Sequence, residues 1–382
     1  MKKWKQISVC CLAAAFTVSG PAATVWAGSP EFARTPEEWA KLRDNTMEYE
    51  ELAGLIREYN VTVRNNQLDI NDKKKDDLIT SDENAQYYRD AASDYRSSIT
   101  GDDPITDAQN AVEASSADAQ ADKNTEDLTV YQLTYHQEEA NLVALAQSAM
   151  ISYFSQQYEQ ESAKDSLKLS EAIYQSMLAK KEAGMATRTD VLSAREDVQN
   201  TRTSIDKLAA STEQARQTLC IMLGWKYNDM PEIREIPAMD MERLAAMDPK
   251  TDKEAALRNN YTLKTNKRKL ENATADITKE TLNRTISNNG QNISTDVVKN
   301  HHAVLQAKAS YEQTAAEYEL ESKNMETAER KYQAGTLSRL DYLKQKNAYN
   351  TKRIAIKTAE LALFQAAQAY YNAVDGLALA GG

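Results

Sequence analysis

Side chains that could hold a metal or attack a substrate are few in this sequence and badly spaced for either. Its three histidines are His136, alone in a helical stretch, and the adjacent pair His301-His302, which the sequence places at a helix start. Successive helical residues point about 100° apart, so that pair cannot close on one ion without ligands from elsewhere. Glu138-Glu139 and Asp102-Asp103 are neighbouring carboxylates without a partner base or nucleophile, the pattern of a solvated face rather than an acid–base couple. Phosphate loops, nucleophile elbows, Cys-x-x-Cys and His-Glu-x-x-His are all missing. Asn60-Val61-Thr62 and Asn283-Arg284-Thr285 have the form of glycosylation acceptors, a match that chance supplies in a chain this rich in Asn and Thr. No catalytic residue, metal or cofactor is expected, and the chain is not read as an enzyme.

The elements that must position any functional residue are long helices. Over 382 residues there are only 11 glycines and 7 prolines, which leaves little material for the turns of a β-rich fold. The prolines stand at positions 21, 30, 36, 104, 231, 237 and 249, so two stretches of well over a hundred residues, from Ile105 to Met230 and from Lys250 onward, contain none. Lys2, Lys3 and Lys5, an apolar run from Ile7 to about Val18, and Val25-Trp26-Ala27 read as a signal peptide over residues 1–27. Its removal takes Cys10 and Cys11, leaves Cys220 as a lone helical thiol, and shifts the net charge from −11 to −14 by the loss of three lysines. Phosphate repulsion then argues against a nucleic-acid partner. No other segment is long and apolar enough for a membrane-spanning helix.

The two halves repeat at a shift of 151 residues. Ala183-Gly184 with Arg188, Asp190 and Leu192 lies over Ala334-Gly335 with Arg339, Asp341 and Leu343, and the shift also matches Arg202 with Arg353 and Ile205 with Ile356. Apolar residues recur every seven positions on both sides of the second motif: Val304, Tyr311, Tyr318, Met325 and Tyr332 before it, Tyr342, Tyr349, Ile356, Leu363 and Tyr370 after it. Such a repeat is the seam of a coiled coil. A parallel stripe of Ala355, Ala359, Ala362, Ala366, Ala369 and Ala373 provides a second face for close helix approach. Gly184 and Gly335 are expected to end one helix in a left-handed turn, with Asp190 and Asp341 as helix caps near the start of the next. Gly224, Gly290 and Gly376 are read as the opposite helix ends, and residues 78–127 as a polar segment of loop or weak helix. The organisation is thus residues 28–224 as a first helical repeat, 225–250 as a proline-bearing linker and 251–382 as a second repeat.

These residues resemble the TolC-like outer-membrane efflux factors, whose halves each carry a helical hairpin with a glycine turn followed by an aspartate segment. The likeness rests on residues 183–192 and 332–343 and covers about 128–224 and 255–376. It implies an all-α chain of long antiparallel coiled-coil hairpins in two tandem repeats, three chains closing into a hollow α-helical barrel in the cell envelope. It implies further that Ala183, Gly184, Met185, Ala186, Ala334, Gly335, Thr336 and Leu337 meet a periplasmic adaptor protein, which joins the tunnel to an inner-membrane transporter. By the same resemblance Tyr332 and Asp341 belong to a constriction at the tips, and the substrate is an exported small molecule or peptide. Where the pattern continues with a second acidic residue, this chain has Lys344.

One departure is larger. The family's membrane strands would fall in residues 78–127 and 282–299, and neither stretch has the apolar alternation of a membrane strand. The β-barrel is therefore expected to be minimal or absent. That departure keeps a second reading open, a secreted coiled-coil structural or adhesive protein without transport.

Overall fold

Proline-free runs with heptad-spaced apolar residues grow into helices whose stability comes from packing along their whole length. The computed structural model describes Ser29 and residues 31–381, so the expected signal peptide lies outside it. In chain order the first half holds α1 (Pro36–Leu42), β1 (Thr46–Met47), α2 (Leu52–Tyr59), α3 (Val61–Lys75), α4 (Ser81–Ser97), α5 (Pro104–Asp122), α6 (Leu128–Glu182) and α7 (Arg188–Met222). The second holds β2 (Glu232–Ile233), α8 (Met241–Ala245), α9 (Pro249–Asn259), α10 (Tyr261–Asn272), α11 (Asp276–Gln333) and α12 (Arg339–Asn372). The fold is all-α, with one short parallel pairing, Thr46 beside Glu232 and Met47 beside Ile233.

The wall of the molecule is a slab of four helices in the order α7, α6, α12, α11. At 55 and 58 residues, α6 and α11 are roughly 80–90 Å long. Each folds back on its hairpin partner, and α6 packs against α12 to join the two hairpins. Hydrogen bonds Ser166–Asn347 (3.4 Å), Asn350–Asp165 (2.7 Å) and Gln365–Ser148 (3.3 Å) set these middle helices antiparallel, which places both glycine turns at one end. The alanine stripe lies along this contact. Ala355, Ala359 and Ala362 of α12 and Ser162, Ala163 and Ser166 of α6 line an open groove of about 630 Å³.

α7 and α12, at 35 and 34 residues, are too short to cover their partners. The missing length comes from α3 and α10, which run antiparallel to α6 on bonds such as Tyr135 to Asp69 (2.7 Å), Asn66 to Glu138 (2.6 Å) and Arg268 to Asp127 (2.6 Å). An asparagine splices each pair of helices end to end. Asn60 accepts from the Thr62 and Val63 N–H groups as the N-cap of α3, and its Nδ2 donates to the Met222 carbonyl at the end of α7 (2.9 Å). Asn260 caps α10 through the Leu263 N–H (2.9 Å) and donates to the carbonyls of Gly376 (3.2 Å) and Ala378 (2.8 Å) just past α12. Each splice satisfies donors at one helix start and acceptors at another helix end, and it sets the two dipoles head to tail. Gly224 (φ 93°) turns the chain away at the first splice, where a Cβ would lie 2.3 Å from that of Tyr59. Gly376 (φ 126°) does so at the second.

Around the splices sits an apolar layer. Trp39, Met47, Leu52, Leu55 and Ile56 pack on Met150, Ile151 and Phe154 of α6 and Leu219 of α7, while Leu244, Leu263, Ile293, Val297, Leu363 and Tyr370 form the matching cluster of the second half. Buried Arg216 of α7 donates to the carbonyls of Tyr227 and Asp229, which ties the segment after Gly224 to the wall.

Three sequence expectations change. Gly290 ends nothing: it lies inside α11 with an ordinary helical φ, and residues 282–299 are continuous helix. His301 and His302 are likewise interior to α11 rather than at its start, His301 packing beside Tyr370 at 5.8 Å. Residues 78–127 resolve into a helical hairpin, α4 and α5, and the corresponding place in the second half is the three-residue turn between α10 and α11.

Replacing Asn60 or Asn260 with Ala removes both a cap and a buried donor, so each should cost about 1–3 kcal/mol and lower Tm by several degrees in circular-dichroism melts. Asn260→Ala should cost more, since it leaves two carbonyls without a donor. Thr62→Ala, which destroys the acceptor tripeptide while leaving the splice intact, should melt like the parent.

Candidate functional site: the helical tips

Both tips are built from the same local chemistry. α6 ends in a lysine-bearing turn closed by Gly184 N–H to the Lys181 carbonyl (3.0 Å) and Met185 N–H to the Lys180 carbonyl (2.7 Å). α11 ends identically, with Gly335 bonded to Tyr332 (3.0 Å) and Thr336 to Lys331 (2.9 Å). This is a Schellman turn, and it requires the left-handed φ found at Gly184 (72°) and Gly335 (71°). A Cβ at either glycine would meet open space, so glycine is needed here for backbone conformation alone.

The next helix starts on a capping box. Thr187 is the N-cap of α7 and receives the Asp190 N–H (3.1 Å), while the Asp190 carboxylate accepts from the Thr187 N–H (2.8 Å). In the second tip Ser338 receives the Asp341 N–H (3.1 Å) and donates its hydroxyl to the Asp341 carboxylate (2.7 Å). The capping positions are therefore Thr187 and Ser338, and the two aspartates act three residues into the helix as the reciprocal acceptors. Hydrogen bonds from Thr187 hold the Asp190 carboxyl below the usual aspartate range, and Ser338 followed by Lys344 does the same for Asp341. Lys344 Nζ stands 3.2 Å from Asp341, so the residue that replaces a second acid also offsets the charge of the first.

The remaining tip residues are mostly outward. Ala183, Gly184, Met185, Ala334, Gly335 and Thr336 are exposed, Met185 at 73%, whereas Ala186 and Leu337 are half-buried. Tyr332 is stacked on Tyr342 across the turn, ring centroids 4.4 Å apart and planes within 14°. Tyr342 donates its hydroxyl to Glu329 (2.6 Å), and this bond raises the phenol's pKa. A two-ring clasp thus closes the second tip inside one chain. Tyr342 and Glu329 were not singled out from sequence, although Tyr332 and Tyr342 are the facing ends of the two heptad series. Cys220 is buried next to Arg216, and burial pushes its thiol pKa up. Among the described residues no group of three or more His, Cys, Asp or Glu is arranged to hold a metal ion, and no helix is long and apolar enough to cross a membrane.

Solved structures with this architecture include outer-membrane channels. A membrane protein from Pseudomonas aeruginosa superposes with a TM-score of 0.56 at 14% identity, over 86% of this chain and 90% of that one. The channel-forming protein CusC gives 0.54 at 12% identity over 87% and 94%, and the Campylobacter jejuni CmeC outer-membrane channel gives 0.51 at 11% over 94% of each chain. The chain has the TolC-like channel fold. No family model and no curated protein matches the sequence itself. The two stretches where the resemblance put membrane strands are helical in this fold: residues 78–127 form the hairpin α4–α5, and residues 282–299 lie within α11.

The depressed carboxyl pKa values carry a sign. Asp190 and Asp341 stabilise their tips fully above the ordinary aspartate pKa, about 4, and release that stabilisation as the pH falls through their lower folded-state values. Hydrogen exchange read by mass spectrometry should therefore show both tips fraying in acid ahead of the spliced middle. Asp190→Asn and Asp341→Asn should abolish that pH dependence, each at its own tip only.

Proposed function

We propose that the protein is a passive tunnel component of an envelope efflux or secretion system. Three chains would close edge to edge, α7 of one against α11 of the next, into a hollow helical barrel whose tips dock on a periplasmic adaptor protein and, through it, on an inner-membrane transporter. The supporting observation is the shape of the wall. All four slab helices contribute to one shallow groove, with Ser204 of α7 and Ser310 and Thr314 of α11 flanking the alanine and serine contact of α6 and α12. Its lining is mostly Ala, Ser and Thr, as suits a wall that substrates pass and do not occupy. The likeness to channel structures covers 87–94% of the chain, which makes this fold-level analogy broad. The substrate class is a small molecule or peptide, and energy comes from the partner transporter.

In this reading Met185 and the residues around Gly184 and Gly335 form the adaptor contact, and Asp341 with Tyr332 narrows the tip. The helical α4–α5 hairpin favours a second reading, a coiled-coil structural protein of the envelope that conducts nothing.

Mass in solution and single-particle images separate the two. The conduit reading expects three chains around a central hole; a solid rod or a monomer overturns it. In a reconstituted tunnel, Asp341→Asn should reduce cation preference while trimer mass is unchanged, and unaltered ion selectivity would remove Asp341 from the constriction.

A further inference from the structure

The α4–α5 hairpin stands at the end of the wall opposite the tips, rooted by Leu128 N–H to the Ile79 carbonyl (3.0 Å) and by Asn124 Nδ2 to the Ser81 carbonyl (2.8 Å). Its helices pack against each other through Ala85 and Ala92 of α4 and Ala114, Ala117 and Ala121 of α5, and neither packs along any other helix. Two features of this arm are unused by the fold. One is a second seam on α5: Ile105, Ala108, Val112, Ser115 and Ala119, spaced three, four, three and four residues, are all exposed, with Ile105 at 73% and Val112 at 67%. That spacing is the a/d pattern by which one helix receives another, and near Ala119 it meets a recess of about 380 Å³ beside Tyr88, Gln120 and Lys123.

The other feature is charge. Residues 81–122 carry ten carboxylates against two guanidiniums, a net −8 in a chain whose total is −11. Arg96 pairs with Asp118 and Arg89 lies 3.8 Å from Asp122, so both arginines are engaged within the hairpin. Asp90, Asp94, Asp102 and Glu113 are exposed. A second copy of the arm would bring −8 against −8 within a Debye length of about 8–10 Å, and an anionic lipid surface meets the same repulsion.

We propose that the exposed α5 seam is a docking surface for an amphipathic helix of a basic polypeptide, its apolar edge on Ile105 and Val112 and its lysines or arginines attracted by the net negative charge of the arm. This goes beyond the tunnel reading and involves the end remote from the tips, so either can fail without the other.

The test uses the mature full-length chain and two labelled helical peptides of about 20 residues with the same Leu/Ile heptad seam, one flanked by Lys and one by Glu. Fluorescence anisotropy should show binding of the Lys peptide only, weakened about tenfold or more when salt rises from about 50 to about 300 mM. Ile105→Ser with Val112→Ser should weaken it at least as much. Asp90→Asn, Asp94→Asn, Asp102→Asn and Glu113→Gln together should remove most of the salt dependence; all of these side chains are exposed, and unchanged helix content by circular dichroism confirms an intact fold. Equal binding of both peptides, no binding of the Lys peptide, or binding indifferent to the seam variants would overturn the proposal. So would self-association that the seam variants abolish, which would make a second copy the occupant, or flotation with phosphatidylcholine–phosphatidylglycerol vesicles that they abolish, which would make it a bilayer.

Discussion

A helical wall tens of ångströms long is only as sound as its helix ends, and here two asparagine side chains make the ends meet. α6 and α11 run uninterrupted, but the helices beside them are each assembled from pieces that come from distant parts of the chain. Asn60 and Asn260 present an oxygen to the free N–H groups of one piece and an amide to the free carbonyls of the other. Unsatisfied backbone groups at a buried junction cost free energy on the scale of a lost hydrogen bond apiece. The apolar layer around the splices depends on them in turn: Leu55, Ile56 and Leu219 meet only because α2, α3 and α7 converge there.

The parts of the fold that follow from short-range chemistry were legible in the sequence. Heptad spacing and missing prolines located the four wall helices, and two Ala-Gly turns 151 residues apart located the tips. The splices were not legible, because their logic is tertiary. Asn60 sits in a tripeptide that reads as a glycosylation acceptor, yet it is buried, with both ends of its amide occupied. Gly290 misled for the opposite reason: a glycine between polar residues looks like punctuation, but packing of Ile286 before it and Ile293 after it keeps the helix going through it. At the tips, the aspartates were visible and their partners Thr187 and Ser338 stand only three residues before them. The Tyr332–Tyr342 stack needed the turn to be closed before the two rings could be seen to face each other.

Charge is distributed along the long axis with a purpose that composition alone conceals. At the tips, Asp190 is tied into a capping box and Asp341 into hydrogen bonds with Ser338, with a lysine alongside. At the far end the α4–α5 arm holds most of the chain's net negative charge and pairs little of it. The tip end carries both signs of charge beside its turns, Lys180, Lys181, Arg330 and Lys331 among them, while the far end carries chiefly carboxylates.

The splices also set where the wall is jointed. α6 and α11 are single rods, whereas their companions are joined end to end beside Asn60 and Asn260. Each junction lies one helix of 34 or 35 residues from its tip, a lever arm of roughly 50 Å. A rotation of about 5° there carries the tip sideways by roughly 4–5 Å, close to half the spacing between packed helices. The length of these two helices is thus a gear ratio: any rotation at the middle of the molecule would be magnified at its end.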